Sequence, residues 1–314
     1  MKSTLSFITL TDFKTSLGER ISLTLSYEVF GRSLADAPVV LINHALTGNS
    51  TLAGEKGWWN KVVHRGGPID LDLYSVLCFN IPGNGYDEMD ESSSFELTLS
   101  DIAGAFLEAL SKLKIVHLRA LIGGSIGGSL GWEILAQSPK LTDLFVPIAC
   151  DYKTTDWLFA QCLIQKYLLS HPEYPLQKAR AHAMLCYRTP ESINARFQNK
   201  VSSESGARAC QEWLEFHGNR LNERFSLNAY RMMNHLLTTI NVKNEAILQI
   251  EAKINLIAVD SDLFFPSKES RDCYNLLMAN QREAEYHEIE SVYGHDAFLI
   301  EYTQLNTLIN KALK

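Results

Sequence analysis

The chain has 314 residues, of which 46% are hydrophobic, enough for one large domain or a core with an inserted subdomain. Its formal net charge of −7 argues against a nucleic-acid platform, which needs a basic face. No apolar run reaches the roughly 18 residues of a membrane span, and the first residues lack the apolar region and cleavage site of a secretory signal.

Six cysteines are scattered along the chain without a C-x-x-C pair. Most of them stand in apolar runs, so we expect buried free thiols, a reducing cytoplasm and no metal site.

Strand-like and helix-like segments alternate in the first half of the chain. Apolar runs predict strands at residues 21–29, 38–44, 74–80, 119–124 and 144–149. Residues 100–113 carry apolar side chains on one helical face. This alternation predicts a mostly parallel sheet with helices on both faces.

Helical patterns replace strand-like ones from about residue 152 to residue 245, and strand-like runs return at 253–260 and 285–290. We therefore expect a core domain of residues 1–151 and 246–314, interrupted by a helical insert of residues 152–245. An insert at this point would cover the preceding strand ends as a lid.

The sequence Gly123-Gly-Ser125-Ile-Gly127 has the pattern of a nucleophile elbow, a sharp turn from strand to helix that exposes a serine hydroxyl. The predicted strand ends just before it, and apolar residues with helical spacing follow it. A phosphate-binding loop is excluded because Ser129 and Leu130 stand where Lys and Ser or Thr are needed. A dinucleotide-binding loop is excluded because Ser125 occupies its second glycine position.

A serine needs a base to activate it and an acid to orient that base, in the chain order Ser, acid, His for this fold. His295 follows a predicted strand in a glycine-containing loop, whereas the other later histidines fall in the insert or in a strand. The acid should follow strand 253–260, as Asp260 or Asp262. The position further into the loop slightly favours Asp262.

Two backbone N–H groups should stabilise the oxyanion. One belongs to Ile126, directly after the serine, and the other to the loop that follows strand 38–44. In that loop, His44 is predicted to anchor the backbone through a hydrogen bond.

Four separated segments together resemble the homoserine O-acetyltransferase family, and three further segments fit it, so that the likeness spans roughly residues 20–312. The four are Asn43–Gly48, Gly123–Gly128, Ser261–Pro266 and Val292–Leu299. The three are Gly57–Trp59, residues 179–180 with 184–188, and Arg224–Tyr230.

This resemblance implies an α/β-hydrolase fold with an inserted helical lid, and the transfer of an acyl group from acyl-CoA, most simply acetyl-CoA, to the hydroxyl of homoserine. It places the nucleophile, acid and base at Ser125, Asp262 and His295, and the oxyanion donors at the backbone of Leu46 and Ile126. It implies no metal, no permanently bound cofactor, and a possible homodimer through the lid.

The resemblance also implies that Arg180, Tyr187 and Asp296 hold the amino acid. These residue types suit a zwitterion, because an arginine can bind its carboxylate in a bidentate fork and an aspartate can bind its ammonium group. One segment departs from the family: residues 81–90 form a shorter loop than usual at the mouth of the pocket.

Three alternatives remain open at this point. The donor could be succinyl-CoA or the acceptor serine. The chain could be a carboxylesterase, which needs no paired charges for a zwitterion. It could also be a binding protein of the same fold without catalysis.

Overall fold

The computed structural model describes residues 4–86 and 97–314. The described strands are Ser6–Lys14 (β1), Arg20–Gly31 (β2), Val39–Asn43 (β3), Val63–His64 (β4), Ile69–Asp70 (β5), Ser75–Phe79 (β6), Ala120–Gly124 (β7), Leu144–Ile148 (β8), Lys253–Val259 (β9) and Ala284–Ile289 (β10). The helices are Leu99–Lys112 (α1), Ile126–Gln137 (α2), Asp156–Leu169 (α3), Pro175–Tyr187 (α4), Pro190–Phe197 (α5), Ala209–Asn222 (α6), Leu227–Thr238 (α7), Asn244–Ile247 (α8), Ser267–Ala279 (α9) and Tyr302–Leu313 (α10), with a 3-10 helix at Gly294–Leu299.

Eight strands form one sheet in the order β1-β2-β6-β3-β7-β8-β9-β10. The pairs β1–β2 and β2–β6 are antiparallel, and all the others are parallel. The carboxyl ends of β3, β7, β8 and β9 therefore meet at one edge of the sheet. In open α/β sheets, this edge is where functional loops gather.

The core lies on both faces of this sheet. Alternate side chains of the central strands point to opposite faces, so that Leu121 and Phe145 join one buried cluster while Ile122 and Val146 join the other. Helices α1, α2 and α9 pack on the first face, and α10 packs on the second. Such continuously apolar strands are typical of a parallel sheet covered on both sides.

The predicted mostly parallel α/β sheet is confirmed, and each predicted strand is present within two residues at either end. Helix α1 also matches its prediction, and it begins with a capping box between Thr98 and Asp101. The antiparallel edge strand β1 and the short pair β4–β5 were not predicted from the sequence. In β1 only Leu10 and Phe13 are buried, with a register shift between them, so its apolar alternation is weak.

Helices α3 to α7 lie between β8 and β9, and we call residues 152–245 the helical insert. The chain enters and leaves it side by side: the N–H of Thr154 donates to the carbonyl of Ile240, and that of Val242 to the carbonyl of Tyr152, each at 2.9 Å. Helix α8 crosses the predicted boundary at residue 245.

Candidate active site

Ser125 stands between β7 and α2 with φ 58° and ψ −133°, a backbone conformation that residues other than glycine rarely adopt. Its flanking glycines make the turn possible. A Cβ on Gly123 would lie 2.3 Å from the carbonyl oxygen of Gly127, and a Cβ on Gly127 would lie 2.4 Å from that of Asn43. The Ser125 N–H donates to the carbonyl of Ile148 at 2.9 Å, which ties the turn to β8. The predicted elbow thus has its expected strand-turn-helix setting.

His295, in the 3-10 helix, and Asp262, in the loop after β9, meet this serine. His295 Nε2 lies 2.9 Å from Ser125 Oγ, and His295 Nδ1 lies 2.7 Å from Asp262 Oδ2. The other carboxylate oxygen of Asp262 accepts the N–H groups of Phe264 at 2.7 Å and Phe265 at 2.9 Å. With a carboxylate accepting from Nδ1, the imidazole presents a free lone pair on Nε2 to the serine hydroxyl.

The structure brings Asp262, and not Asp260, to His295. Asp260 is exposed and accepts the N–H of Ser291 at 3.0 Å. Asp262 is buried, only 4% exposed.

Aromatic rings enclose His295. The ring centroids of Phe264, Phe265, Phe298 and Tyr187 lie 5.1–5.6 Å from the centroid of the imidazole. These rings help keep water from the serine–histidine pair, in which Ser125 is 3% and His295 4% exposed.

The expected oxyanion donors, the N–H groups of Leu46 and Ile126, have no hydrogen-bond acceptor within residues 4–86 and 97–314. Both residues are buried, and their N–H groups are unpaired within the described residues. An unsatisfied buried N–H is costly, and functional sites are where such groups are kept.

His44 anchors the loop that carries Leu46, as the sequence predicted. Its Nδ1–H donates to the carbonyl of Ala45 at 2.8 Å, and its Nε2 accepts the N–H of Ile81 at 3.0 Å. Complete burial lowers the pKa of His44 to about 4, so the ring is neutral and can both donate and accept. The side chain of Asn84 also approaches Nε2, at 3.2 Å.

The three residues expected to hold an amino acid lie around His295. Tyr187 ends α4 with its ring 5.6 Å from the imidazole, and burial raises the pKa of its hydroxyl. The guanidinium of Arg180 stands 5.7 Å from the centre of that tyrosine ring. Asp296 follows His295 directly, and burial raises the pKa of its carboxyl group against the opposing charges of Arg180, His295 and Arg188.

Arg188 was not assigned a role from the sequence. It is 7% exposed, its Nη1 lies 3.9 Å from Asp296 Oδ2, and its guanidinium stands 4.8 Å from the centre of the Tyr293 ring. Position alone, directly after α4, does not distinguish a buried arginine from a solvated one. Burial against the loop of His295 makes it part of the site.

A cavity of about 10 Å³, room for about one water molecule, lies beside this site. Its walls come from Leu46, Phe264 and the helices α3, α4 and α7 of the helical insert. The described residues that line it include no lysine or arginine.

The shorter loop expected at residues 81–90 lies partly outside the described residues, which end at 86 and begin again at 97. Among the described residues, no group of three or more His, Cys, Asp or Glu side chains is arranged to hold a metal ion. No helix in the same two ranges has the length and apolar character needed to cross a membrane.

A mostly parallel sheet with a serine, an acid and a histidine in this chain order at its carboxyl edge defines the α/β-hydrolase class. The family model described as the alpha/beta hydrolase fold matches residues 38–146. Homoserine O-acetyltransferase of Symbiobacterium thermophilum is 30% identical over 95% of this chain and 90% of its own length. The chain belongs to the homoserine O-acetyltransferase family.

Solved structures agree with this fold. Homoserine O-acetyltransferase of Staphylococcus aureus superimposes with a TM-score of 0.86 at 26% identity, covering 100% of this chain and 96% of its own. An acetylester hydrolase from Corynebacterium glutamicum superimposes with a TM-score of 0.80 at 17% identity, covering 99% of this chain and 96% of its own. The second likeness shows the fold alone.

Proposed function

We propose that this protein transfers an acetyl group from acetyl-CoA to the side-chain hydroxyl of L-homoserine through an acetyl-serine intermediate. The observation that carries the proposal is the buried chain of hydrogen bonds from Ser125 through His295 to Asp262, in a member of this family. The product, O-acetyl-L-homoserine, would serve methionine synthesis.

In the first half-reaction, His295 Nε2 removes the proton of Ser125 Oγ as that oxygen attacks the thioester carbonyl. The N–H groups of Leu46 and Ile126 donate to the resulting oxyanion. The carbon–sulfur bond then breaks, His295 returns its proton to the departing CoA thiolate, and Ser125 remains acetylated. Asp262 holds the imidazole in the required tautomer and stabilises its charged form.

In the second half-reaction, homoserine takes the place of CoA. His295 removes the proton of its hydroxyl, which attacks the acetyl carbonyl of the acyl-enzyme. When the bond to Ser125 Oγ breaks, His295 returns the proton to the serine. Burial of both side chains supports transfer over hydrolysis, because water is kept from the acyl-enzyme.

The acceptor is recognised through its two charges. Arg180 binds the carboxylate of homoserine, Asp296 binds its ammonium group, and Tyr187 forms the wall between them. Arg188 is 3.9 Å from Asp296, beyond hydrogen-bond distance, so the carboxylate keeps acceptor capacity for the ammonium group. A plain esterase would not need this pair of opposite charges.

The small cavity beside Leu46 supports acetyl as the acyl group. Its described lining offers no cation to a second carboxylate, and burying an unpaired carboxylate is costly.

The test supplies acetyl-CoA or succinyl-CoA with homoserine, serine or water, and follows the release of CoA thiol. We expect release to require acetyl-CoA and to accelerate with homoserine. Equal release with water alone would favour an esterase, and no release with any pair would refute the enzymatic proposal.

Ser125→Ala should abolish the initial burst of CoA, since no acyl-enzyme can form. Ser138→Ala, at the far end of α2, is the matched control and should retain the burst. A burst that survives in Ser125→Ala would refute the proposed nucleophile.

The proposal also includes a homodimer through the helical insert, because α3 exposes Trp157, Phe159 and Tyr167 to solvent. Sedimentation at several protein concentrations measures the oligomeric state directly.

A cytoplasmic location is supported by the six cysteines, all of which are free thiols.

A further inference from the structure

The helical insert has the opposite charge to the rest of the chain. It contains 12 Lys and Arg against 8 Asp and Glu, a net charge of +4. The remaining residues contain 17 Lys and Arg against 28 Asp and Glu, a net charge of −11. The insert, which covers the candidate active site, therefore has a positive net charge in an otherwise acidic protein.

Four arginines of the insert lie near enough to His217 of α6 for their charges to act on its imidazole. They are Arg180, Arg188, Arg196 and Arg220, and we call them the arginine cluster. Burial, followed by the charges of these four residues, lowers the pKa of His217 to about 4. The imidazole is thus neutral at physiological pH and adds no further charge to the cluster.

Aromatic rings hold the two outer arginines. The guanidinium of Arg196 stands 5.5 Å from the ring centre of Phe197 and 5.8 Å from that of Trp213. That of Arg220 stands 5.8 Å from the ring centre of Phe216. Stacking on an aromatic face orients a guanidinium and leaves its edge N–H groups free to donate.

Three of these four charges have no acidic partner within the described part of the chain. Among residues 4–86 and 97–314, no carboxylate oxygen lies within 4 Å of a side-chain nitrogen of Arg180, Arg196 or Arg220. In the same ranges, Arg188 alone of the cluster approaches a carboxylate, that of Asp296. Several guanidinium groups on one surface attract an anion with more than one negative charge.

The cluster reaches from the candidate catalytic residues to the surface. At its inner end, Arg180 lies against Tyr187, whose ring contacts His295. At its outer end, Arg196 and Arg220 are exposed. The inner arginines face the proposed homoserine site, so the outer pair is available to a second ligand.

A surface recess of about 180 Å³ adjoins Arg220, lined also by Phe216, Asn219 and Glu223. Phe216 is 54% exposed and offers an aromatic ring to a planar ligand. Asn219 and Glu223 offer oxygen acceptors to an amino group. A flat heterocycle with an exocyclic amine and nearby phosphates fits this set of side chains.

We propose that Arg196 and Arg220 bind the phosphate groups of the acyl-CoA donor, with its adenine ring in the recess beside Phe216. This inference rests on the proposed acyl transfer from CoA. The thioester end lies at Ser125 while the phosphate end is held at the outside of the insert, which leaves Arg180 and Asp296 to the amino acid.

The test replaces both arginines, as Arg196→Gln with Arg220→Gln, and compares two acetyl donors. For acetyl-CoA we expect KM to rise roughly 10-fold to 100-fold, since two charge-assisted contacts to phosphate are lost. For S-acetyl-N-acetylcysteamine, which has no phosphate or adenine, kcat/KM should stay unchanged. The KM of the unmodified protein for acetyl-CoA should also rise with salt, and that of the variant much less.

The matched control is Lys166→Gln with Arg231→Gln. These two cations belong to the same insert but line a separate cavity of about 300 Å³ between α3 and α7. This variant should leave KM for acetyl-CoA unchanged. The inference is wrong if the control variant raises KM for acetyl-CoA and the Arg196→Gln, Arg220→Gln variant does not. It is also wrong if the latter variant lowers kcat/KM equally for both donors.

Calorimetric titration with CoA itself separates this inference from the proposed function, because binding needs no turnover. Suppose that the unmodified protein binds CoA but does not acetylate homoserine, and that the Arg196→Gln, Arg220→Gln variant loses CoA binding. The proposed reaction would then be wrong, and the assignment of the phosphate site would stand. Unchanged CoA binding in that variant would overturn the assignment of the phosphate site alone.

Discussion

Asp262→Asn gives the sharpest test of the proposed mechanism, because the structure dictates how the new amide must lie. Asp262 Oδ1 accepts two backbone N–H groups, from Phe264 and Phe265, so this position requires an oxygen. The NH₂ group of asparagine must then occupy the place of Oδ2, 2.7 Å from His295 Nδ1. A donor at that place forces Nδ1 to become an acceptor and puts the proton on Nε2.

With a proton on Nε2, His295 donates toward Ser125 Oγ and cannot remove its proton. We expect kcat to fall by about 10⁴-fold, the scale seen when a triad histidine is held in the wrong tautomer. That loss equals about 5.5 kcal/mol of transition-state stabilisation. Both backbone hydrogen bonds survive, so the free energy of unfolding should change by less than about 1 kcal/mol.

The assay follows CoA release from acetyl-CoA in the presence of homoserine, with the free energy of unfolding measured on the same preparations. Asp260→Asn is the matched control: it also loses a carboxylate, its oxygen can still accept from Ser291, and we expect near-normal activity. Activity of Asp262→Asn above about a tenth of normal would refute the tautomer argument. Equal losses in both variants would show that local charge matters rather than orientation.

Two further predictions concern buried groups whose pKa differs between the folded and unfolded chain. The pKa of His44 falls from 6.5 to about 4 on burial, so its contribution is fully present above pH 6.5 and is lost as the pH falls toward 4. In urea unfolding, the free energy of unfolding of the normal protein should therefore fall by up to roughly 3 kcal/mol more over this pH range than that of His44→Gln. The same dependence on pH in both proteins would contradict this. Burial raises the pKa of Asp151 to about 7, and its Oδ2 has no hydrogen-bond partner among the described residues, so ionisation weakens the fold as the pH rises through 7. Asp151→Asn should be more stable than the normal protein at pH 8 by roughly 2–4 kcal/mol and similar to it at pH 4, and an equal effect at both pH values would show that ionisation of Asp151 is not the cause.

Much of the sheet could be predicted because its central strands are continuous apolar runs bounded by turns. Strands such as β7 and β8, buried on both faces, carry that signal in five residues. The edge strand β1 escaped prediction, because only two of its nine residues are buried and a register shift interrupts their alternation. Its position depends on pairing with β2, which local sequence does not encode.

The serine turn and the order of its partners could also be predicted, since glycines with this spacing are needed for a strained strand-to-helix turn. The choice between Asp260 and Asp262 could not be made firmly, because both follow the same strand within three residues. It depends on which side chain points toward His295, and the N–H groups of Phe264 and Phe265 orient that of Asp262.

The charge of the helical insert was countable from the sequence, but its arrangement was not. Arg180, Arg196 and Arg220 belong to three different helices and come near His217 only when those helices pack. Burial of Arg188 against Asp296 arises in the same way, from packing of the end of α4 on the loop of His295.

The amino-acid sequence was enough to predict the kind of fold and the serine turn, because both follow from local periodicity and from glycines that a tight turn requires. Packing of the chain in three dimensions sets which carboxylate reaches His295, which N–H groups lack an acceptor among the described residues, and which arginines come near His217. These depend on distances between segments far apart in the chain, where packing rather than local preference sets the contacts.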